Sequence, residues 1–131
     1  MRDINQIIIH CSYTPASMDI GVPEIRQWHL DRNWSDIGYH YVIRRNGVIE
    51  RGRDEATIGA HVRGQNHDSI GVCLVGGKPY FNFTREQFSA LQRLLYELKS
   101  RYPNVTISGH NEHTSDKTCP TFDVQEWFRT A

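Results

Sequence analysis

Three consecutive isoleucines, Ile7-Ile8-Ile9, constrain this chain more than any other run, because so short a continuous apolar stretch fits a strand buried on both faces. Such a strand needs cover above and below, and the rest of the sequence alternates strands with helices that can supply it. Ser12 to Gly21 reads as a loop, after which Pro23 suits the first turn of a helix carrying Ile25, Trp28 and His29 on one side. Tyr41 to Glu50 reads as a hairpin, and Asn46-Gly47 predicts a type I′ turn with both central residues at positive φ. Ser69 to Val75 is a further central strand, ended by Gly76-Gly77. Thr84-Arg85-Glu86-Gln87 has the form of a capping box. Phe88, Leu91, Leu95, Leu98 and Tyr102 then repeat at helical spacing as a core-facing stripe until Pro103 stops the helix. Val105-Thr106-Ile107 is a short strand, and Asp123 can cap a last helix holding Trp127 and Phe128. The expected fold is α/β, one domain over residues 1–131 with a central mixed β-sheet flanked by helices.

Bulk properties narrow the class. A chain of 131 residues, 38% hydrophobic and 23% charged, suits one globular domain. Its 15 basic residues balance 15 acidic ones, which removes the electrostatic footprint of a dedicated nucleic-acid binder. The amino terminus runs straight into a strand without the basic and apolar regions of a signal peptide, and no apolar run approaches the roughly 20 residues that span a bilayer. The expectation is a soluble monomer made in the cytoplasm, with no membrane and no direct nucleic-acid partner. Three cysteines, an odd number, argue against a disulfide framework and suit a reducing compartment. Three Asn-x-Ser/Thr sequons carry little weight in that setting.

The chemistry gathers around Cys119, in Lys117-Thr118-Cys119-Pro120. His10 closes the first strand, and His110 falls just past the strand at Val105-Thr106-Ile107. Two imidazoles and one thiolate make three protein ligands, the number a catalytic Zn2+ takes when its fourth position is kept for water or substrate. No pair of cysteines has the close spacing of a structural zinc knuckle. Cys11 is adjacent to His10, so on a strand the two point to opposite faces and only one joins a given site. With seven His and three Cys, chance spacing is the competing explanation. No His-Glu-x-x-His helix is present, so no glutamate stands out as a general base.

Several motifs in order carry a resemblance: His10-Cys11-Ser12, Gly38-Tyr39-His40-Tyr41, Gly59-Ala60-His61, Asn66 to Val72, Gly109-His110 and Lys117 to Pro120. Together, from about residue 6 to residue 128, they resemble the N-acetylmuramoyl-L-alanine amidases of the type-2 amidase and peptidoglycan-recognition-protein superfamily, most closely the small bacteriophage lysozymes with amidase activity. The resemblance implies a zinc amidase acting on bacterial peptidoglycan, a phage endolysin that reaches the wall after release. It implies His10, His110 and Cys119 as zinc ligands, Tyr39 as the tyrosine beside the nucleophilic water, and Lys117 as the lysine facing the scissile carbonyl. His61, in a Gly-rich loop, and Asn66 are taken as substrate contacts. The Glu112 to Asp116 loop is slightly longer than the family pattern.

Zn2+ lowers the pKa of its water towards about 7 and polarises a carbonyl. An ammonium suits the oxyanion of amide hydrolysis, and a phenol can orient the nucleophile or move a proton. On spacing alone Tyr39 reads as a half-buried strand aromatic and Lys117 as a solvated loop charge. His40 reads as structural, His29, His67 and His113 as surface or core-edge residues, and Cys73 and Cys11 as small buried hydrophobes. Two other functions stay open: a module that binds peptidoglycan without cutting it, as relatives lacking the cysteine do, and a second role binding and inhibiting a phage-type RNA polymerase.

Overall fold

Each of Ile7, Ile8 and Ile9 is fully buried, as a strand covered on both faces requires, and each such side chain contributes about 1.5–3 kcal/mol of burial free energy. They lie in β1 (Gln6–Cys11). The computed structural model describes residues 2–131, in which β2 (Thr14–Pro15), α1 (Val22–Asp31), β3 (Tyr41–Ile43), β4 (Ile49–Arg51) and β5 (Ser69–Leu74) follow. After them come β6 (Gly77–Lys78), α2 (Arg85–Arg101), β7 (Thr106–Gly109) and α3 (Val124–Thr130). The five-stranded sheet has the order β4-β3-β5-β1-β7. β1 is parallel to β5 and β7, β3 is parallel to β5, and only β4 runs antiparallel, so the sheet is mixed, as expected.

The strands alternate between two apolar clusters. Ile7 and Ile9 of β1 with Ile70, Val72 and Leu74 of β5 pack against Leu91, Leu94, Leu95 and Leu98 of α2, while Val42 and Cys73 face Val22 and Ile25 of α1 on the other side. α2 starts where its capping box predicts: Thr84 Oγ1 accepts the Gln87 N–H and Gln87 Oε1 accepts the Thr84 N–H. Gln87 is itself fully buried, and its Nε2 donates to the carbonyls of Ile43 and Val75 at the ends of two strands. A second polar clamp holds the other end of α2, where Glu55 accepts from Arg101, Tyr102 and Tyr41.

Three local expectations are corrected. The hairpin turn is not type I′: only Gly47 has positive φ (88°), Asn46 does not, and Gly47 N–H donates to Arg44 O. This is a type I turn followed by a left-handed glycine, a longer loop that needs one positive φ rather than two. On α1, Trp28 is 38% exposed, and the buried stripe is Val22, Ile25 and His29. Of its two readings, surface or core-edge, His29 is therefore core-edge: buried, with a cleft on one side. The Ser12 to Gly21 loop contains β2, which pairs with β6 over two residues. No helix among the described residues is long and apolar enough to cross a membrane.

Candidate metal centre and cleft

The sheet register assembles the site. Ile9 pairs with Gly109, so His10 on β1 and His110, one residue beyond β7, emerge side by side at the carboxyl ends of two parallel strands, and their ring centroids are 4.6 Å apart. That end of a parallel sheet is where loops of α/β proteins gather their functional groups. The turn carrying His110 is fixed by Glu112, whose Oε2 accepts the Gly109 N–H at 2.7 Å and which in turn receives Gln125 Nε2 of α3. The following loop returns to the same point: Asn111 N–H donates to Cys119 O at 2.8 Å. Cys119 Sγ then lies 2.8 Å from the Cys11 N–H, which donates to it.

His10, His110 and Cys119 each offer one ligand atom, and the three atoms lie within 4.8 Å of one another. Their electrostatics suit a divalent cation. Burial, followed by the charges of His61 and His110, pulls His10 well below its ordinary value, and burial with Lys117 nearby lowers His110, so both offer lone pairs at neutral pH. Contact with the Cys11 thiol, and then burial, push the Cys119 thiol up, so a metal binding there displaces a proton. The Cys11 amide, by contrast, points its hydrogen at Sγ and favours the thiolate once the proton has gone. Cys11 is therefore more than a core hydrophobe: it does not join the three ligands, yet its backbone and thiol both meet Cys119.

A cleft of about 480 Å³ opens over these groups, with Tyr39, His61, Lys117, Arg32, Trp34 and Tyr13 among its walls. The Tyr39 ring sits 5.1 Å from the His10 ring. Burial, reinforced by the surrounding thiols, raises the Tyr39 phenol well above its ordinary value, so it keeps its proton and acts as a donor. Lys117 stands exposed on the rim, two residues from Cys119.

The remaining sequence candidates are placed differently. His61 lines the cleft, but both of its ring nitrogens are engaged, Nδ1 with His10 and Nε2 with Ser69. Asn66 does not line the cleft: its Oδ1 accepts the N–H groups of His61 and Val62, both at 2.9 Å, so it shapes the loop that presents His61. His40 is structural, with Nδ1 accepting from Gly71 N–H and Nε2 donating to Thr57 O. His67 is exposed and His113 meets Ser108. Sequence reasoning missed Arg32, an exposed cleft residue beside Trp34, because a lone arginine after a helix gives no signal of its own.

The chain matches the N-acetylmuramoyl-L-alanine amidase family over residues 1–122. It is 48% identical over 134 residues to an endolysin of Enterobacteria phage K11, covering 98% of this chain and 88% of that protein. It is also 47% identical over 127 residues to an endolysin of Escherichia phage T7, covering 93% and 83%. Among solved structures it resembles N-acetylmuramoyl-L-alanine amidase LysC from Clostridium intestinale, with a TM-score of 0.88 at 28% identity, covering 98% of this chain and 85% of that one. Drosophila PGRP-LB, of which a mutant is known in complex with tracheal cytotoxin, aligns with a TM-score of 0.85 at 26% identity, covering 99% and 82%.

Proposed function

The chain belongs to the N-acetylmuramoyl-L-alanine amidase family, and on that premise we propose that His10, His110 and Cys119 hold a Zn2+ ion in its cleft. The chain is an amidase of the phage endolysin kind, cleaving peptidoglycan between the muramic acid lactyl group and L-alanine. The observation that carries the metal reading is the donor set: two neutral imidazoles and one cysteine, with ligand atoms inside 4.8 Å. That is a catalytic zinc set, three protein ligands with one position left open. When bound, the ion supplies Lewis acidity towards a water nucleophile and the scissile carbonyl.

The chain's own groups complete the chemistry. Tyr39, protonated at neutral pH and 5.1 Å from His10 by ring centroids, donates a hydrogen bond that orients the nucleophile or the carbonyl oxygen. Lys117 presents a cation from the rim to the oxyanion that develops as the amide is attacked, an interaction of about 3–4 kcal/mol where such donors have been removed. The open cleft and its exposed aromatic Trp34 suit a sugar-linked peptide better than a small free molecule. Retention of Cys119 favours cutting over mere binding.

The test is metal content beside turnover. The purified chain should hold about one Zn2+ per molecule, Cys119→Ser and His110→Ala should lose most of it, and chelation should abolish activity that added Zn2+ restores. Stoichiometric zinc retained by Cys119→Ser would remove that residue from the site.

A further inference from the structure

The hydrogen bonds behind His10 run in one direction only. Ser69 Oγ is 2.7 Å from Gln65 O, and a carbonyl can only accept, so the Ser69 hydroxyl proton is spent there. Ser69 Oγ is also 3.1 Å from His61 Nε2, and with its own proton committed it must accept from that nitrogen. His61, as a neutral ring, then carries its proton on Nε2 and leaves Nδ1 as an acceptor. His61 Nδ1 lies 2.8 Å from His10 Nε2, so the His10 proton sits on Nε2 and donates to His61. His10 Nδ1 makes no hydrogen bond among the described residues and keeps its lone pair free.

From this accounting we infer that His61 is a positioning residue, the link between Ser69 and His10 in a Gln65-Ser69-His61-His10 chain that fixes the His10 tautomer so that Nδ1 is the atom presented to the metal. The inference rests on the zinc reading above for its consequence, though the tautomers themselves are set by the chain alone. The surrounding backbone is built around the His61 ring. A Cβ at Gly71 would come within 2.7 Å of His61 Cγ, so only glycine lets the ring lie flat on β5. Asn66 Oδ1 accepts the His61 and Val62 amides, which fixes the backbone that carries the ring. His40 shows the contrast: both its nitrogens are used by backbone groups, leaving no lone pair for a ligand. Partners of metal-binding histidines orient the ring and raise its basicity, and losing one costs 10–100-fold in metal affinity.

Long-range proton–nitrogen correlation spectra of the metal-free wild-type chain read the tautomers directly, with no variant needed. His10 and His61 should both show the Nε2-protonated form, and an Nδ1-protonated His10 would overturn the inference. Zinc competition titrations then read the consequence. His61→Leu, which fills the space without an acceptor, should bind Zn2+ roughly 10–100-fold more weakly, while His61→Asn, whose Oδ1 takes the place of Nδ1, should recover most of the loss. Equal affinities for His61→Leu and wild type would sink the positioning role. A wild-type chain that takes up no zinc would instead remove the metal reading, and the metal-free spectra would still decide the tautomers.

Discussion

Acidification should destabilise the metal-free chain, and two of the histidines responsible, His29 and His40, are held neutral by burial against backbone donors. His29 is 7% and His40 1% exposed, and each accepts a backbone hydrogen on Nδ1, from Gly38 at 2.9 Å and from Gly71 at 3.0 Å. Burial, with Arg32 and Arg53 adding to it, lowers His29 from 6.5 to about 4, and burial lowers His40 to about 4 against the raising effect of its bond to Thr57. The folded values lie below the unfolded one, so the unfolded chain takes up these protons first. Stability is complete above about pH 6.5 and is lost as the pH falls towards 4. At about pH 5 each histidine withdraws roughly 2 kcal/mol, about 4 kcal/mol for the pair, a large share of the 5–15 kcal/mol typical of a domain. Urea unfolding in the presence of a chelator, at about pH 8 and about pH 5, measures the loss. His29→Asn keeps an acceptor for the Gly38 amide without titrating and should reduce the loss by about 2 kcal/mol, the share of one histidine. Equal unfolding free energies at the two pH values, or a His29→Asn chain with the full wild-type loss, would refute the reasoning.

Two further outcomes follow from where side chains sit. Tyr39→Phe and Lys117→Ala should keep near-normal zinc content and folding while kcat falls by roughly 10²-fold or more, and full activity in either variant would remove its catalytic role. Asn66→Ala leaves the His61 and Val62 amides without their acceptor, so it should cost about 1–3 kcal/mol in urea unfolding with KM little changed. A raised KM at unaltered stability would return Asn66 to the substrate.

What the sequence disclosed and what it hid divide along physical lines. Ile7-Ile8-Ile9 and the Thr84 capping box were legible because short-range pattern sets them, and both stand as read. His10, His110 and Cys119 were legible as residue types, and the Ile9–Gly109 register is what brings the two histidines together. The sequence offers Asn66 as a substrate contact and hides its structural partners, which are amides four and five residues away, a loop geometry that no periodicity encodes. His29 stands as the core-edge residue of its two readings, buried yet lining the cleft, and the bond that satisfies it comes from Gly38, beyond the helix it sits on, where no sequence pattern reports it. The two-residue pairing of β2 with β6 lies below the length at which a strand leaves a pattern. Buried Glu55 looks like any surface carboxylate until α2 brings Arg101 and Tyr102 to it.

The central claim, metal-dependent cleavage of an amide, is tested most directly by which chemical group appears when purified cell walls are digested. A glycosidase uses two carboxylates flanking a sugar linkage, whereas this cleft gathers imidazoles, thiols, phenols and an ammonium with a single carboxylate, Asp116, and so offers no such pair. New L-alanine amino termini should rise in step with the fall in turbidity, stop on chelation, and come with no matching rise in reducing sugar ends. Reducing ends in place of amino termini, or amino termini released at full rate in a chelated, zinc-free sample, would contradict it.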